Sequence, residues 1–318
     1  MRVTIIGAGK VGLAYAVFLA SKGHDVVAID KNKTYIDSLN AGTYETTEPG
    51  VTEGLHKIRK FTTEDDEQSD ICIILVDTPT CYAGYDHSNL EKVLESTVGK
   101  HETVIVSCTT QPGFMKQWPD VYYNPLFIQL GNQINHQNTT KSVLIGGEPS
   151  SLLTNFFKQN HGEDVQLHYM SQTAAEVAKL SLNCIITTKI SFANMIDEAM
   201  WRSGHGEESE KVLAFVGADP RVGEKCLKPG WGYGGPCFPR DNRALCTFLR
   251  EWGAADYIPM ATHETNERHA IVMAMKTDDE LDDLNYKPGC PVYCDEESHK
   301  KKTKHIIDMN IVKRESCD

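Results

Sequence analysis

The first 30 residues constrain the fold more than any other part of the chain. An apolar run at residues 3–6 is followed by the turn GAGKVG at residues 7–12. Apolar residues at helical spacing follow at 13–22, and a second apolar run at 25–29 ends at Asp30. A strand, a glycine-rich turn, a helix and a second strand in this order predict a βαβ unit of a parallel sheet.

Later segments extend this pattern. Strand-like runs at 71–76, 103–108 and 142–145 alternate with helical stretches, which predicts a mainly parallel sheet covered by helices on both faces. From about Gln172 to residue 203 the chain is expected to form one long, largely apolar helix that ends at Gly204, with further helices to about Asn266. The predicted fold is α/β: a Rossmann-type doubly wound sheet followed by an all-helical domain built on one long helix. The expected domains are 1–170, 171–270 and a short segment, 271–318.

The turn GAGKVG fits the G-x-G-x-x-G pattern of a dinucleotide site. Gly7 allows the tight turn, Gly9 lets the backbone approach a pyrophosphate, and Gly12 packs the helix against the strand. Val11 belongs to the same turn, and the N-terminus of the following helix faces the phosphates. The alternative is a glycine turn that binds nothing.

The acidic residue at the end of the second strand bears on which cofactor is bound. Asp30 is placed to accept hydrogen bonds from the 2′-hydroxyl of the adenosine ribose, which favours NAD over NADP. Lys31 and Lys33 weaken that preference, because a nearby cation can accept a 2′-phosphate. The sequence therefore predicts NAD as the cofactor.

Charge and cysteine usage exclude several classes of partner and site. A net charge of −12 argues against nucleic acid or an anionic membrane as the main partner. We expect no signal peptide and no membrane span. Ten cysteines without framework spacing favour a reducing compartment, and hence a cytoplasmic protein. No metal site is expected, because the close pair Cys290 and Cys294 lacks further ligands at zinc-site spacing.

The segment GWGYGGPCFPRD, residues 230–241, raises three possibilities for Cys237: a nucleophile, a metal ligand or a small buried apolar residue. Asp241 follows one helical turn later if a helix begins here, and it can orient or deprotonate a water or the thiol. The glycines around the cysteine, Gly234 among them, allow close approach of a ligand to the backbone.

Lys179 and Asn183 lie four residues apart on the predicted long helix, so their side chains share one face. An ammonium group beside an amide can stabilise negative charge on a substrate oxygen. The alternative for Lys179 is a side chain that extends from the helix edge to solvent.

Several motifs together resemble the UDP-glucose/GDP-mannose 6-dehydrogenase family over about residues 1–270. Besides the glycine turn and the cysteine segment they are, in chain order, EPG (48–50), DTPT (77–80), SCTTQPG (107–113), YNPLFIQLG (123–131), AAEVAKLSLN (174–183) and ADPRVG (218–223). The resemblance implies oxidation of the C6 hydroxymethyl of a nucleotide sugar, most simply UDP-glucose, to a carboxylate with two NAD. It also implies a third, nucleotide-binding domain.

The resemblance also assigns roles to residues. Cys237 is then the nucleophile, which forms a thiohemiacetal with the aldehyde and then a thioester. Thr109 positions the catalytic water, with a merely structural, buried threonine at the end of a strand as the alternative, and Thr78, Pro79 and Thr109 lie along the cofactor. Lys179, Asn183 and Gly234 contact the substrate together with two cations that meet its diphosphate, Arg221 and Lys228, the arginine often from the neighbouring subunit. We expect a homodimer through the helix at 172–203, whose apolar surface exceeds what one small domain covers.

The chain departs from the family pattern in two places. Leu126 and Leu130 stand where family members carry glutamates, the first of which does acid/base work in product release. This leaves three possibilities open: Asp241 and a water held by Thr109 suffice, thioester hydrolysis is impaired, or the chemistry stops early. LNYKPGCPVYCDEES resembles only the opening of the third domain, with Lys287 at a substrate-contacting position, so we expect most of that domain to be absent.

Two other functions remain possible on the sequence. Dehydrogenases acting on β-hydroxyacids are similar in the long helix and share the K-x-x-x-N spacing, so Lys179 and Asn183 also suit a single-step hydroxyacid dehydrogenase. A catalytically impaired homologue that binds NAD without turnover is the other alternative.

Overall fold

The computed structural model describes residues 1–275 except positions 82, 83, 129 and 236. The chain divides into two compact units, Met1–Lys179 and Leu180–Asp318. The domain boundaries expected at 170/171 and 270/271 stay predictions. Most of the expected segment 271–318 lies outside the described residues, as do Lys287, Cys290 and Cys294.

The first unit is built on one eight-stranded sheet. Its strands are β1 (Arg2–Ile6), β2 (Asp25–Ile29), β3 (Lys60–Thr62), β4 (Ile71–Ile74), β7 (Thr103–Val106), β8 (Tyr122–Tyr123), β9 (Ser142–Gly146) and β10 (Gln166–Met170). They are arranged in the order β10-β9-β8-β7-β4-β1-β2-β3. A separate antiparallel pair is formed by β5 (Thr80–Cys81) and β6 (Gly84–Tyr85).

All neighbours in the eight-stranded sheet pair in parallel except β8 and β9. The central strands β1, β4 and β7 consist mostly of buried valine and isoleucine, because helices cover both faces of a parallel sheet. The order places β4 next to β1, although β2 follows β1 in the chain. This crossover is typical of a doubly wound sheet, so the predicted fold class is confirmed.

Several predicted bounds were wrong by a few residues. β4 ends at Ile74 rather than at residue 76, and β7 ends at Val106 rather than at residue 108. The apolar run continues past each strand because the following residues Leu75, Val76 and Cys108 are partly buried against the apolar core. The strands β3, β8 and β10 were not expected, since they are short or carry polar side chains.

In the part of the first unit that the structure describes, six α-helices accompany the strands: α1 (Lys10–Ser21), α2 (Lys33–Asn40), α3 (Val51–Gly54), α4 (Ser88–Thr97), α5 (Gln133–Thr139) and α6 (Ser151–His161). α1 begins three residues before the predicted start, because Gly9 is its N-cap and the Gly9 carbonyl accepts the Leu13 N–H at 2.8 Å. Most of α1 is buried, with Phe18 and Leu19 fully inaccessible. This burial fixes the helix, and hence the glycine turn before it, against the sheet.

The second unit is helical in its described part. The long helix α7 (Gln172–Arg202) begins in the first unit and continues into the second, where α8 (Ser209–Ala218), α9 (Phe238–Glu251) and α10 (Tyr257–Met275) follow. The predicted long helix and its end signal are confirmed: Gly204 has a φ of 80° and donates its N–H to the Trp201 carbonyl. Among the described residues, no helix combines the length and the apolar character that crossing a membrane requires.

Candidate functional site

The glycine turn after β1 has the geometry that a dinucleotide site needs. Gly7 has a φ of 96°, and the N–H groups of Gly7 and Ala8 both donate to the Ile29 carbonyl, at 2.9 and 3.0 Å. A Cβ at Gly7 would lie 2.5 Å from the Leu75 carbonyl oxygen, and one at Gly12 would overlap the Gly7 carbonyl. Only glycine therefore fits at these two positions.

The middle glycine leaves space where a phosphate would lie. A Cβ built on Gly9 would meet no atom of the described residues within 4 Å. Across the same described residues, no side chain caps the N-terminus of α1, so its first N–H groups are directed at this space. The turn and the helix end therefore fit the pyrophosphate of a dinucleotide.

Asp30 can contact a cofactor through its side chain, whereas Val11 can do so only through its backbone. Asp30 follows β2, is half-buried and accepts the Asn32 N–H on Oδ1 at 3.0 Å. Since a carboxylate has about four acceptor positions, this bond leaves capacity for a ribose hydroxyl. The Val11 side chain packs against the apolar core and lines a cavity of about 10 Å³ with Leu126, so only its backbone is directed to the turn.

The loops after β4 and β7 are joined by a side-chain hydrogen bond. The Thr78 hydroxyl, 6% exposed, donates to the Thr109 carbonyl at 2.9 Å. Pro79 is exposed, and its carbonyl accepts the Asp86 N–H at 2.8 Å. Because β1, β4 and β7 are parallel neighbours, these loops and the glycine turn share the carboxyl edge of the sheet, where open α/β sheets bind ligands.

Glu176 fixes the loop that carries Thr109, and the sequence did not identify it. Its fully buried carboxylate accepts the Thr110 hydroxyl at 2.8 Å and the N–H groups of Gly113 at 2.6 Å and Met115 at 3.0 Å. Burial raises the pKa of Glu176, and the three donors oppose that shift. The available signal was its position three residues before Lys179, on the same side of one helix.

His87 supports the same loop from α4. Its Nε2 accepts the Gln111 N–H at 3.1 Å, and its ring stacks on Phe114 with centroids 4.0 Å apart. Burial lowers the pKa of His87 to about 4, so the imidazole is neutral and able to accept this bond at neutral pH.

Lys179 is held inside the first unit. It is 7% exposed, its Nζ donates to the Leu126 carbonyl at 3.0 Å, and it lies 4.5 Å from the centroid of the Phe127 ring. This burial excludes the alternative of a lysine extended into solvent. The Leu126 side chain packs in the apolar core, so its backbone carbonyl, and not its side chain, faces the ammonium group.

The cysteine segment forms the start of α9 in the second unit. Cys237 is the half-buried N-cap residue, and its carbonyl accepts the Asp241 N–H at 2.8 Å, so the expected helical turn between them is present. Arg240, which the sequence did not single out, contacts both residues. Its Nη2 lies 3.9 Å from Cys237 Sγ, and its Nε lies 3.6 Å from Asp241 Oδ1.

The Asn183 side chain, on α7, contacts the Asp241 carboxylate. Its Nδ2 donates to Asp241 Oδ2 at 2.6 Å, and Asp241 is 1% exposed. A Cβ on Gly234 would meet none of the described atoms within 4 Å, which leaves open space beside this part of the loop. Cys237, Asp241 and Asn183 therefore form one cluster in the second unit.

The two expected diphosphate contacts lie on the surface. Lys228 is exposed, and Arg221 is paired with Asp219, with Nη2 and Oδ2 2.6 Å apart. That ion pair raises the pKa of Arg221. Among the described residues, no group of three or more His, Cys, Asp and Glu side chains could hold a metal ion.

Known proteins match both units. Residues 1–159 match the NAD binding domain of the UDP-glucose/GDP-mannose dehydrogenase family, and residues 173–268 match its central domain. Two Bacillus subtilis proteins, the UDP-glucose 6-dehydrogenases TuaD and YwqF, are 30% and 31% identical over 85% and 77% of this chain. The chain spans 64% and 61% of the lengths of these relatives.

Solved structures agree with these matches. A UDP-glucose dehydrogenase from Pyrobaculum islandicum superposes with a TM-score of 0.77 at 26% identity, covering 88% of this chain and 71% of that one. A UDP-D-ManNAc dehydrogenase from Pyrococcus horikoshii superposes with a TM-score of 0.76 at 25% identity, covering 91% and 73%. Together with the glycine turn and the cluster around Cys237, these matches show that the chain belongs to the UDP-glucose/GDP-mannose dehydrogenase family.

Proposed function

We propose that this protein oxidises the C6 hydroxymethyl group of a nucleotide sugar, most simply UDP-glucose, to the uronate with NAD. The observation that carries the proposal is the cluster of Cys237, Asp241 and Asn183 in a chain that also holds a dinucleotide turn. The turn residues Gly7, Gly9 and Gly12 with Asp30 would hold NAD, which accepts a hydride at each oxidation. The relatives named UDP-glucose 6-dehydrogenase support this choice of substrate.

The thiol chemistry follows from the residues present. The first oxidation removes a hydride from C6 and the proton of its hydroxyl group, which leaves an aldehyde. Cys237 Sγ then bonds to the aldehyde carbon, and the thiol proton passes to the carbonyl oxygen, which makes a thiohemiacetal. Loss of a hydride from that carbon and of the hydroxyl proton leaves a thioester. Water then attacks the carbonyl carbon, the C–S bond breaks, and the carboxylate leaves with the thiol restored. Asp241 is the candidate to take the proton of that water, which Thr109 would position.

Charge on the substrate oxygen needs stabilisation at each oxidation. Lys179 and Asn183 offer an ammonium group and an amide N–H, which are donors suited to a developing alkoxide. Both are already orientated by protein partners, the Leu126 carbonyl and the Asp241 carboxylate. Orientated donors stabilise a transition state without having to reorganise during the reaction.

We further propose a cytoplasmic homodimer through α7. Four large apolar side chains of this helix are 40–55% exposed: Leu182, Ile185, Phe192 and Met195. Exposed apolar side chains in such a row favour burial against a second protein surface. Arg221 of each copy would then be available to the diphosphate bound by the other, together with Lys228.

A second candidate is a protein that forms the Cys237 adduct but releases it slowly. The supporting observation is that Leu126 and Leu130 provide no carboxylate to move a proton, and Leu126 is part of the core. Single-step oxidation of a hydroxyacid by Lys179 and Asn183 is a further alternative, and it needs no thiol.

The test is to incubate the purified protein with NAD and a panel of nucleotide sugars and hydroxyacids, and to measure NADH per substrate and the product mass. Two NADH and a uronate support the first proposal if Cys237→Ala loses the second NADH and the uronate while the matched Cys246→Ala retains both. A thioester trapped on the Cys237 peptide supports slow release. Oxidation of hydroxyacids alone, with Cys237→Ala fully active, contradicts the thiol route, and NAD binding without any turnover contradicts an enzymatic role.

A further inference from the structure

A side-chain hydrogen bond between Tyr233 and Asn242 spans the segment that contains Cys237. Tyr233 precedes the cysteine by four residues, and its hydroxyl accepts a hydrogen bond from Asn242 Nδ2 at 3.0 Å. The Tyr233 ring is fully buried and meets the Phe238 ring edge-on, with centroids 6.1 Å apart. A side-chain bond therefore joins the two ends of the segment in which the thiol lies.

Both ends of this segment are also tied to other helices. Asn266 of α10 binds the Tyr233 backbone twice: its Oδ1 accepts the Tyr233 N–H at 2.8 Å, and its Nδ2 donates to the Tyr233 carbonyl at 3.0 Å. Asn242 Nδ2 also donates to the Thr187 hydroxyl of α7 at 3.1 Å. Asn242, Asn266 and Thr187 are at most 3% exposed, so these bonds lie where water does not compete.

The Tyr233 ring contributes to apolar packing, but its hydroxyl group does not. A phenylalanine ring would fill the same volume and keep the contact with Phe238. The hydroxyl group adds the bond to Asn242, which is the residue directly after Asp241. Its expected effect is therefore on the position of the segment that begins α9.

We propose that Tyr233 is a positioning residue for Cys237, which acts through its hydrogen bond to Asn242. By closing the segment, the bond holds Sγ beside the Arg240 guanidinium and one helical turn before the Asp241 carboxylate. Without the Tyr233–Asn242 bond, the thiol would sample positions farther from the Arg240 guanidinium. A nearby guanidinium stabilises the thiolate form of a cysteine. This inference rests on the proposed function, in which Cys237 is the nucleophile.

The direct test is the variant Tyr233→Phe. The rate at which iodoacetamide alkylates Cys237 is measured between pH 6 and 10 by mass spectrometry of the peptide that contains Cys237. We expect the alkylation rate near neutral pH to fall roughly fivefold, the effect of one neutral hydrogen bond. The midpoint of the pH profile should move upward, because the Arg240 guanidinium, which favours the thiolate from 3.9 Å, would lie farther from Sγ. In turnover, kcat should fall by a similar factor and the KM for the nucleotide sugar should stay close to that of the wild type.

Tyr169→Phe is the matched control. The Tyr169 hydroxyl also bonds another side chain, the half-buried Thr154 hydroxyl at 3.2 Å, but in the first unit. It should lower the melting temperature by a comparable amount and leave the alkylation profile unchanged. A Tyr233→Phe protein with a wild-type profile overturns the inference.

A double-mutant cycle with Asn242→Ala tests whether the hydroxyl acts through this bond. If Tyr233→Phe does not fold, Asn242→Ala alone removes the same hydrogen bond, and its alkylation profile is measured instead. Adding Asn242→Ala to Tyr233→Phe should change the alkylation rate by less than it does in the wild type. Fully additive effects contradict the bond as the cause. Alkylation does not depend on the substrate, so a protein that oxidises no nucleotide sugar but shows the shifted profile refutes the proposed function while the positioning role stands.

Discussion

Asn183 donates a 2.6 Å hydrogen bond from its side-chain amide to the Asp241 carboxylate, although 58 positions separate the two residues in the chain. Asp241 is 1% exposed, so partners within the protein must replace water at this carboxylate, and the Asn183 amide is one of them. The same contact orientates Asn183, which α7 supplies, toward the start of α9, where Cys237 is the N-cap.

Replacing Asn183 by leucine should therefore harm both stability and activity. A buried carboxylate that loses a donor costs about 1–3 kcal/mol, so we expect the free energy of unfolding to fall by about 2 kcal/mol. Turnover should fall at least tenfold, because Asp241 is left misplaced. Urea denaturation and NADH release measure the two effects. Asn138→Leu, at an exposed position of α5, is the control and should change neither quantity appreciably.

Leu126 and Leu130, where the resemblance led us to expect glutamates, should differ in how their substitution by glutamate affects stability. Leu126 is 8% exposed and packs in the apolar core, whereas Leu130 is 41% exposed. Leu126→Glu should lower the free energy of unfolding by about 3 kcal/mol, because an unpaired carboxyl group is expensive to bury. Leu130→Glu should change it by less than about 0.5 kcal/mol. Faster release of a Cys237 thioester in a stable Leu126→Glu protein would contradict the observed side-chain placement.

Glu176→Gln should loosen the loop that carries Thr109. The amide keeps the size of the side chain, but its NH₂ group faces N–H and O–H donors where a carboxylate oxygen accepted them. We expect a loss of about 2 kcal/mol in unfolding free energy and a rise of roughly tenfold in the dissociation constant of NAD. Calorimetric titration with NAD measures the second effect. Glu95→Gln, exposed on α4, should leave NAD binding as it is.

The lowered pKa of His87 should make the free energy of unfolding fall in mild acid. Burial lowers the pKa of this imidazole from 6.5 to about 4, so the unfolded chain binds more protons between those two pH values. Stability must then fall as the pH falls through this window. In His87→Gln, whose amide oxygen can still accept the Gln111 N–H, the decrease in unfolding free energy from pH 7 to 4.5 should be smaller by about 1 kcal/mol, since the ring is partly exposed.

The measurement for His87 is urea denaturation at pH 7, 6, 5 and 4.5 on the wild type and the variant. His205→Gln, at an exposed position, should reproduce the wild-type pH dependence. Equal slopes for wild type and His87→Gln would show that His87 titrates normally in the folded protein.

Much of the first unit could be predicted because its signals are local. GAGKVG between two apolar runs specifies a tight turn and a helix start within a few residues, and Gly7 and Gly12 indeed occupy positions where no side chain fits. The period of the apolar residues similarly predicts α7, because a helix is determined by neighbours three and four residues apart. The short strand β8 was missed, since two residues that pair with distant strands leave no periodic pattern.

The sequence by itself determined the βαβ start, the long helix and the cofactor turn, since each rests on residues that are close in the chain. Only the tertiary structure decided which side chains hold these elements in place. These pairings join polar groups that are buried or half-buried: Glu176 with the loop that carries Thr109, Asn183 with Asp241, and Tyr233 with Asn242 and Asn266. Such pairings are required because burial removes water from every donor and acceptor, and the partner that replaces it is set by the packing of distant segments, not by spacing along the chain.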